Sequence, residues 1–502
     1  MRSSLARFVR ASLSVAVLFA AFSGAAAQDA PNRDEDWRAI EARWPQLMAY
    51  MKAYIKANAR RSNIDLYHVE LWTYDLMRAA IEEKRFDIRD DLLGLYTSQF
   101  ESLVEVSTYK YLYDPRAWPF GRTTVRPLPA KTRLWLNDNG LEEVLASSQF
   151  LYLISSTARL LSQAGQTDGP AGAFVSQAIP IVQSHALRWV RDDAVFEVTG
   201  WGCGAGLYNH RDFLRKKRER AFSSPKSLSY CNMTQDFDLW VIALVAELVA
   251  AQSFLDPSLR MEKRNLDDLK AYLREAGDLM RERISSRTFK RPDGSIVEGL
   301  VYEAGAFRDH EVDRFANYEG SSCPRDDAPA VGVGWDVSHG TRQPVVFSAL
   351  YELRPLTGMT WPDKEALAGF GRAFAYGVFE GDLSRPRLRN FLDGSNGWYQ
   401  GDAKTCTGFP PFSLSEALPY GAWGRYTPFA PEVGPIVMSA RRLLSSAVPD
   451  DVTFRKNVWD KARFVDGQLH QNEYVNGELS VWMLPLLSTY AIGSPVARGD
   501  LQ

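Results

Sequence analysis

Along most of this chain apolar residues recur three and four positions apart, and a chain patterned that way is committed to helices. The pattern runs through WRAIEARWPQLMAYMKAYIKA (37–57), VELWTYDLMRAAIEEKRF (69–86), DDLLGLYTSQFESLVEVSTYKYL (90–112), LEEVLASSQFLYLISSTARLLSQ (141–163) and AGAFVSQAIPIVQSHALRWV (171–190). It returns at 236–255, 266–284, 344–354, 364–379, 432–446 and 477–490, with longer irregular connections in the second half. No series of alternating strands competes with it. The expected class is all-α, with about a dozen helices.

The first residues point to export. Arg2, Arg7 and Arg10 precede the apolar run LSVAVLFAAF, and Ala25-Ala26-Ala27 follows as a small-residue cleavage site. Residues 1–27 therefore read as a signal peptide, and the protein as periplasmic or secreted. The run is too short for a membrane span, and VIALVAELVAA at 241–251 is interrupted by Glu247, so no membrane insertion is expected. A net charge of −2 argues against nucleic acid as a partner. The four cysteines form an even set in an exported chain, which favours two disulfides. Of three pairings, loop proximity selects Cys203–Cys231 with Cys323–Cys406. Without a C-x-x-C motif, and with two cysteines far from any histidine in sequence, zinc is not expected. No metal or cofactor is called for, and a monomer is expected.

One stretch does not fit the helical pattern. Between Tyr302 and Arg342 the sequence YEAGAFRDHEVDRFANYEGSSCPRDDAPAVGVGWDVSHGTR carries two of the six histidines, His310 and His339. Around them stand Glu303, Arg308, Asp309, Asp313, Arg314, Tyr318, Asp336 and Arg342, with Phe307, Phe315 and Trp335 between the charges. A core would not hold that mixture and a plain surface loop has no use for its rings, so the stretch reads as a pocket wall. Pro344 suits the first turn of a helix, which leaves Asp336, His339 and Arg342 in the loop feeding it. Asp336-x-x-His339 lacks a third ligand at a diagnostic spacing.

Other clusters surround this one. In FEVTGWGCGAGLYNHRDFLRKKRERAF, glycines flank Trp201 and Cys203 ahead of Tyr208, Asn209 and His210, and glycine lets a backbone approach a ligand closely. The basic run from Arg215 to Arg220 reads as a solvated face that could also draw in a polyanion. Asp236 and Asp238 open an apolar helix, where carboxylates favour the helix dipole. The turn around Asp393 and Asn396 precedes the aromatic pair Trp398–Tyr399, a platform on which a sugar ring could stack. His68 and His185 read as structural, and His470, Asn472 and Tyr474 as a polar turn.

A dozen helices in consecutive pairs, an export signal, and loops such as WDVSHGTR and FLDGSNGWYQGD make the chain resemble the (α/α)-toroid carbohydrate-active enzymes. These are the six-hairpin glycosidases and the toroid polysaccharide lyases, alginate lyases among them. Asn209-His210 is similar to the Asn-His pair that sits near the substrate uronate in toroid alginate lyases. The resemblance implies one toroid domain over 28–502, with polar and aromatic loops at one end, acting on a polysaccharide or oligosaccharide. It assigns no catalytic residue.

Three function classes are compatible with the residues. A polysaccharide lyase needs donors for a uronate carboxylate, a base and an acid. Arg342 and Arg314 with Asn209 would supply the first, His310 or His339 the second, and Tyr318 or Tyr208 the third. A glycoside hydrolase needs two carboxyl groups, with Glu303, Asp336, Asp238 and Asp393 as candidates. A glycan-binding protein needs neither. The recurrence of His, Arg and Tyr in the loops favours the lyase. Residues 201–211, 302–318, 335–342 and 393–399, including Trp201, Trp335 and Trp398, are expected to line one concave site.

Overall fold

Beyond its first turn the helix Asp236–Ala251 has Glu247 as its one charged residue among apolar ones, and a helix of that kind has only the centre of a protein to occupy. Every residue from Asp238 to Ala251 is buried. Its first turn is closed reciprocally: Gln235 caps the backbone at Asp238, and the Asp238 carboxylate accepts from the Gln235 N–H at 2.6 Å. A computed structural model of the chain describes residues 33–58, 64–112, 123–137, 140, 142–192, 203, 208–222, 229–325, 330–466 and 468–472. The chain divides into a short N-terminal unit that ends at Pro45 and a large unit that runs from Gln46 onward and holds this helix.

Buried helices succeed one another through the large unit. Ile64–Glu82 packs on Val144–Gln163, which packs on Asp236–Ala251, which packs on Arg342–Thr357. Between them in sequence come Phe86–Phe100, Gly169–Leu187 and Lys263–Glu282, each burying one face. In the last of these, Leu269, Tyr272, Leu273, Ala276 and Met280 form the buried stripe at helical spacing. Among the described residues no helix is long and apolar enough to cross a membrane.

The protein is mostly helical, as its periodicity requires, but it also holds strands that the periodicity does not reveal. The helix expected through 90–112 stops at Phe100. Val104–Leu112 (β1) instead pairs antiparallel with Thr123–Leu134 (β2), and its β-branched and aromatic composition explains the switch. Ile284–Lys290 (β3) and Ile296–Tyr302 (β4) form a second hairpin in register from Ile284↔Tyr302 to Lys290↔Ile296. Tyr399–Asp402 (β5), Thr407–Phe409 (β6), Lys461–Val465 (β7) and Gln468–Asn472 (β8) make an antiparallel sheet in that order. His470 and Asn472 therefore belong to a strand.

Other boundaries match the sequence within a few residues. The stretch 37–57 divides into helices Arg33–Glu41 and Trp44–Asn58, with Pro45 in the first turn of the second. Cys203 is bonded to Cys231 and Cys323 to Cys406, the expected pairing. The leader, Trp201, Tyr474 and the segment 477–490 lie outside the described residues.

Candidate active site

The irregular stretch after β4 is a chain of tight turns. Backbone bonds from His310 to Phe307, Asp313 to His310 and Ala316 to Asp313 fold it back on itself at 3.0–3.1 Å. Phe307 N–H reaches Val333 O, Trp398 N–H reaches Phe315 O, and Leu392 N–H reaches Trp335 O, each at 3.0 Å. Asp309 ties the turns to the segment before the central helix, accepting from the Ser229 N–H at 2.8 Å and hydroxyl at 2.6 Å. The Cys323–Cys406 bridge joins the same turns to the β5–β6 hairpin. These ties enclose a pocket of about 260 Å³. Its walls come from Tyr230–Asp236, Phe307–Asp313, Gly334–His339 and the start of β5.

His339 is the best-oriented base in it. Asp336 caps the short helix Val337–Gly340: its Oδ1 accepts from the Ser338 N–H at 3.0 Å, the Ser338 hydroxyl at 2.5 Å and the His339 N–H at 3.1 Å. Its Oδ2 stands 2.7 Å from His339 Nδ1. Burial opposes ionisation of Asp336, but the positive charge of His339 and the hydrogen bonds of His339 and Ser338 prevail, holding the carboxyl down at about 2. A proton on Nδ1 shared with this carboxylate leaves Nε2 as the basic nitrogen of a side chain 44% exposed to solvent. The Tyr399 hydroxyl lies 3.4 Å from His339 Nδ1 and accepts from Gln400 Nε2 at 2.9 Å. Gln400 itself has φ 51°, a left-handed backbone that non-glycine residues seldom adopt.

Two further carboxyl groups face this pair. Asp313 is 2% exposed, lines the pocket, and has a buried Oδ1 that accepts no hydrogen bond. Burial pushes its carboxyl well above the usual range, Asp336 adds to the effect and His339 opposes it. Asp236, at the start of the central helix, is likewise pushed up by burial against the pull of His339. His310 also lines the pocket, its ring edge-on to Tyr230 with centroids 4.4 Å apart and its Nδ1 accepting from the Val312 N–H at 3.1 Å. Trp335 completes the apolar side of the wall.

Arg342 stands behind the wall and opens the helix Arg342–Thr357, two residues before the start that Pro344 suggests. It donates to Ser338 O at 3.1 Å and to the Tyr67 hydroxyl, and its Nε is 3.7 Å from Asp236 Oδ2. Burial lowers its guanidinium to about 10.

Several residues expected at the site are elsewhere. His210 is fully buried, with Nε2 2.9 Å from Asp238 and Nδ1 2.7 Å from the Tyr272 hydroxyl. Asn209 caps the His210–Arg218 helix by accepting from the Asp212 N–H, and Tyr208 packs by Phe213 and Phe222. Of the wall expected from 201–211, the described residues Cys203 and Tyr208 to Arg211 do not line the pocket, whereas Tyr230, Met233, Gln235 and Asp236 do. The basic run is mostly engaged: Arg211 and Arg215 bond Glu275, Arg218 bonds Glu282, Lys216 bonds Glu219, and Lys217 is buried against Asp238.

Glu303 is also enclosed, accepting from the Thr234 N–H and hydroxyl, both at 2.8 Å. Asp393 holds its turn through the Ser395 N–H at 3.0 Å, and Asn396 accepts from the Phe412 N–H at 3.0 Å. Trp398 is fully buried and donates to Gly320 O at 2.7 Å, so it offers no platform. Tyr318 meets the Ser322 hydroxyl at 3.1 Å, and Arg314 donates to Glu311 O at 2.8 Å; neither lines the pocket.

Conversely, Tyr399, Asp236, Asp313 and Gln400 reach the pocket although sequence gives them no catalytic role. Alternation along an extended strand is the signal for Tyr399, since only one of two adjacent aromatics can face a given side. Among the described residues no group of three or more His, Cys, Asp or Glu side chains is arranged to hold a metal ion. Comparison with protein-family models, with curated proteins and with solved structures finds no match for this chain.

Proposed function

We propose that the pocket cleaves a uronate-containing glycan by β-elimination, in an exported enzyme of toroid architecture. The observation that carries this reading is His339, oriented by Asp336 and set beside the Tyr399 hydroxyl in a partly aromatic pocket. His339 Nε2 removes the proton on the carbon next to the uronate carboxylate. Tyr399 gives its proton to the departing glycosidic oxygen, the carbon–oxygen bond breaks, and a carbon–carbon double bond forms in the sugar left behind. Tyr399 thus takes the acid role that sequence assigns to Tyr318 or Tyr208. Tyr230, Phe307 and Trp335 offer rings to the sugar. The succession of fully buried and one-face-buried helices in the large unit supports the toroid.

A second reading is favoured by one observation. Asp313 is driven toward its protonated form while Asp336 is held ionised at the same pocket, the opposed pair that a glycoside hydrolase uses. Incubation with alginates, glucuronans and neutral glycans separates the two. An ultraviolet-absorbing unsaturated end on a uronate product supports elimination. New reducing ends without that absorbance support hydrolysis, and tight binding with no cleavage retires both.

A further inference from the structure

Elimination beside a carboxylate needs a hydrogen-bond donor to draw negative charge off that carboxylate. Neither arginine proposed from sequence reaches the pocket. Arg314 turns to Glu311 O, and Arg342 is engaged by Ser338, Tyr67 and Asp236 behind the wall. The pocket does present another polar group lacking a partner. Asp313 Oδ1 is buried and unbonded in a side chain that lines the cavity, and Trp335, lining the same cavity, has a buried indole N–H with no acceptor. A buried polar atom left unsatisfied forfeits its hydration with nothing in return, so two at one pocket argue for a ligand that satisfies them.

Resting on the elimination reading, we infer that the Asp313 carboxyl receives the carboxylate of a uronate unit, so that the pocket takes carboxylate-bearing sugars in preference to neutral ones. In its neutral form Asp313 donates an O–H to one carboxylate oxygen, the short charge-assisted bond that a carboxylic acid makes to a carboxylate. Trp335 Nε1 supplies a second donor from the same wall. Burial and the neighbouring Asp336 carboxylate both favour that neutral form. The titratable groups lining the cavity with Asp313 are Asp336, His339, Asp236, Tyr399 and Tyr230, with His310 on its own segment. Asp336, held ionised, already has both oxygens engaged by Ser338 and His339, so a substrate carboxylate is tolerated while Asp313 is neutral. Once Asp313 ionises, a second negative charge confronts the substrate and affinity falls.

The test is titration calorimetry with oligoglucuronate, oligomannuronate and their carboxyl-reduced counterparts between pH 5 and 9, in a Tyr399→Phe background that binds without turnover. Uronate affinity should fall as pH rises, by up to about tenfold per unit once Asp313 ionises. The carboxyl-reduced sugars should bind more weakly and without that slope. Asp313→Asn keeps an N–H donor, so it should bind uronate while losing the pH dependence, with thermal unfolding confirming its fold. An unchanged slope in Asp313→Asn, or equal affinity for reduced sugars when Asp313 is intact, overturns the inference. Unsaturated product from the otherwise unaltered enzyme alongside either result leaves elimination standing and removes only the Asp313 contact. Asp313-linked uronate binding with no unsaturated product retires elimination and leaves the contact intact.

Discussion

Two clusters in this protein are built from the same trio, histidine, aspartate and tyrosine, and they differ in what surrounds them. In His210–Asp238–Tyr272 both ring nitrogens and both carboxylate oxygens have partners, with Lys217 Nζ 2.5 Å from Asp238 Oδ2. All four side chains are buried. In His339–Asp336–Tyr399 the aspartate is equally saturated, but the imidazole is half exposed and an unbonded carboxyl oxygen, that of Asp313, belongs to the same cavity. The first cluster can only hold helices together. The second has a base that a ligand can reach. Residue type is common to both, and access separates scaffold from candidate chemistry.

The comparison breaks most visibly if the closed cluster proves dispensable. Lys217→Met strands the Asp238 carboxylate next to His210 in the interior and should lower unfolding free energy by about 3–5 kcal/mol, the usual cost of removing one partner of a buried ion pair. Denaturant titration measures it. Turnover per folded molecule should change less than about threefold, and an unaltered midpoint would mean that the cluster carries no structural weight.

His339→Ala should do the reverse. Turnover on a cleavable uronate should drop by roughly a hundredfold or more, the scale for a lost general base, while the melting midpoint stays nearly fixed. A variant that melts early and keeps its specific activity would put His339 in the same class as His210.

Acid stability sharpens the contrast further. The folded Asp336 carboxyl is held at about 2, below its unfolded value, so its contribution is complete above about pH 4 and is lost as pH falls through 2. That contribution is about 2–3 kcal/mol. Asp336→Asn should flatten the stability profile between pH 4 and 2, and an undiminished slope would show that other carboxyls set it.

The smallest effect is expected at Tyr318. Its hydroxyl meets Ser322 outside the pocket, so Tyr318→Phe should alter initial rates by less than about twofold. A hundredfold loss would return the acid role to Tyr318 and take it from Tyr399.

Much of the fold was legible because it depends on local pattern. The strongly apolar run after Asp238 marked a buried helix, and the even cysteine set, paired by proximity along the chain, led to the observed pairing. VEVSTYKYL was harder: it comes after a helical stretch without a turn signal, so the helical period runs on into it while β-branched and aromatic residues have already changed the preferred backbone. At the site, the stretches around His310 and His339 stood out because their mixture of charge and rings suits no core. What the sequence could not express was enclosure. Asn209-His210 carries the same chemistry as a pocket segment, yet Tyr272 and Asp238, distant in sequence, seal it. Asp236 sat where a helix dipole explains a carboxylate, and that sufficient explanation concealed a second position at the cavity wall. Trp398 and Tyr399 were indistinguishable as aromatics until strand geometry sent one inward and the other toward His339.

Gln400 bears on how this pocket could drift over generations. Its left-handed backbone is one that glycine or asparagine accommodates with less strain, so selection for folding alone would tend to replace it. The glutamine amide that holds the Tyr399 hydroxyl would disappear with a change to glycine. On the proposed reading, a lineage relieved of the elimination is expected to lose Gln400 early, while Trp398 and the saturated Asp238 cluster persist, leaving a sound fold around the cavity.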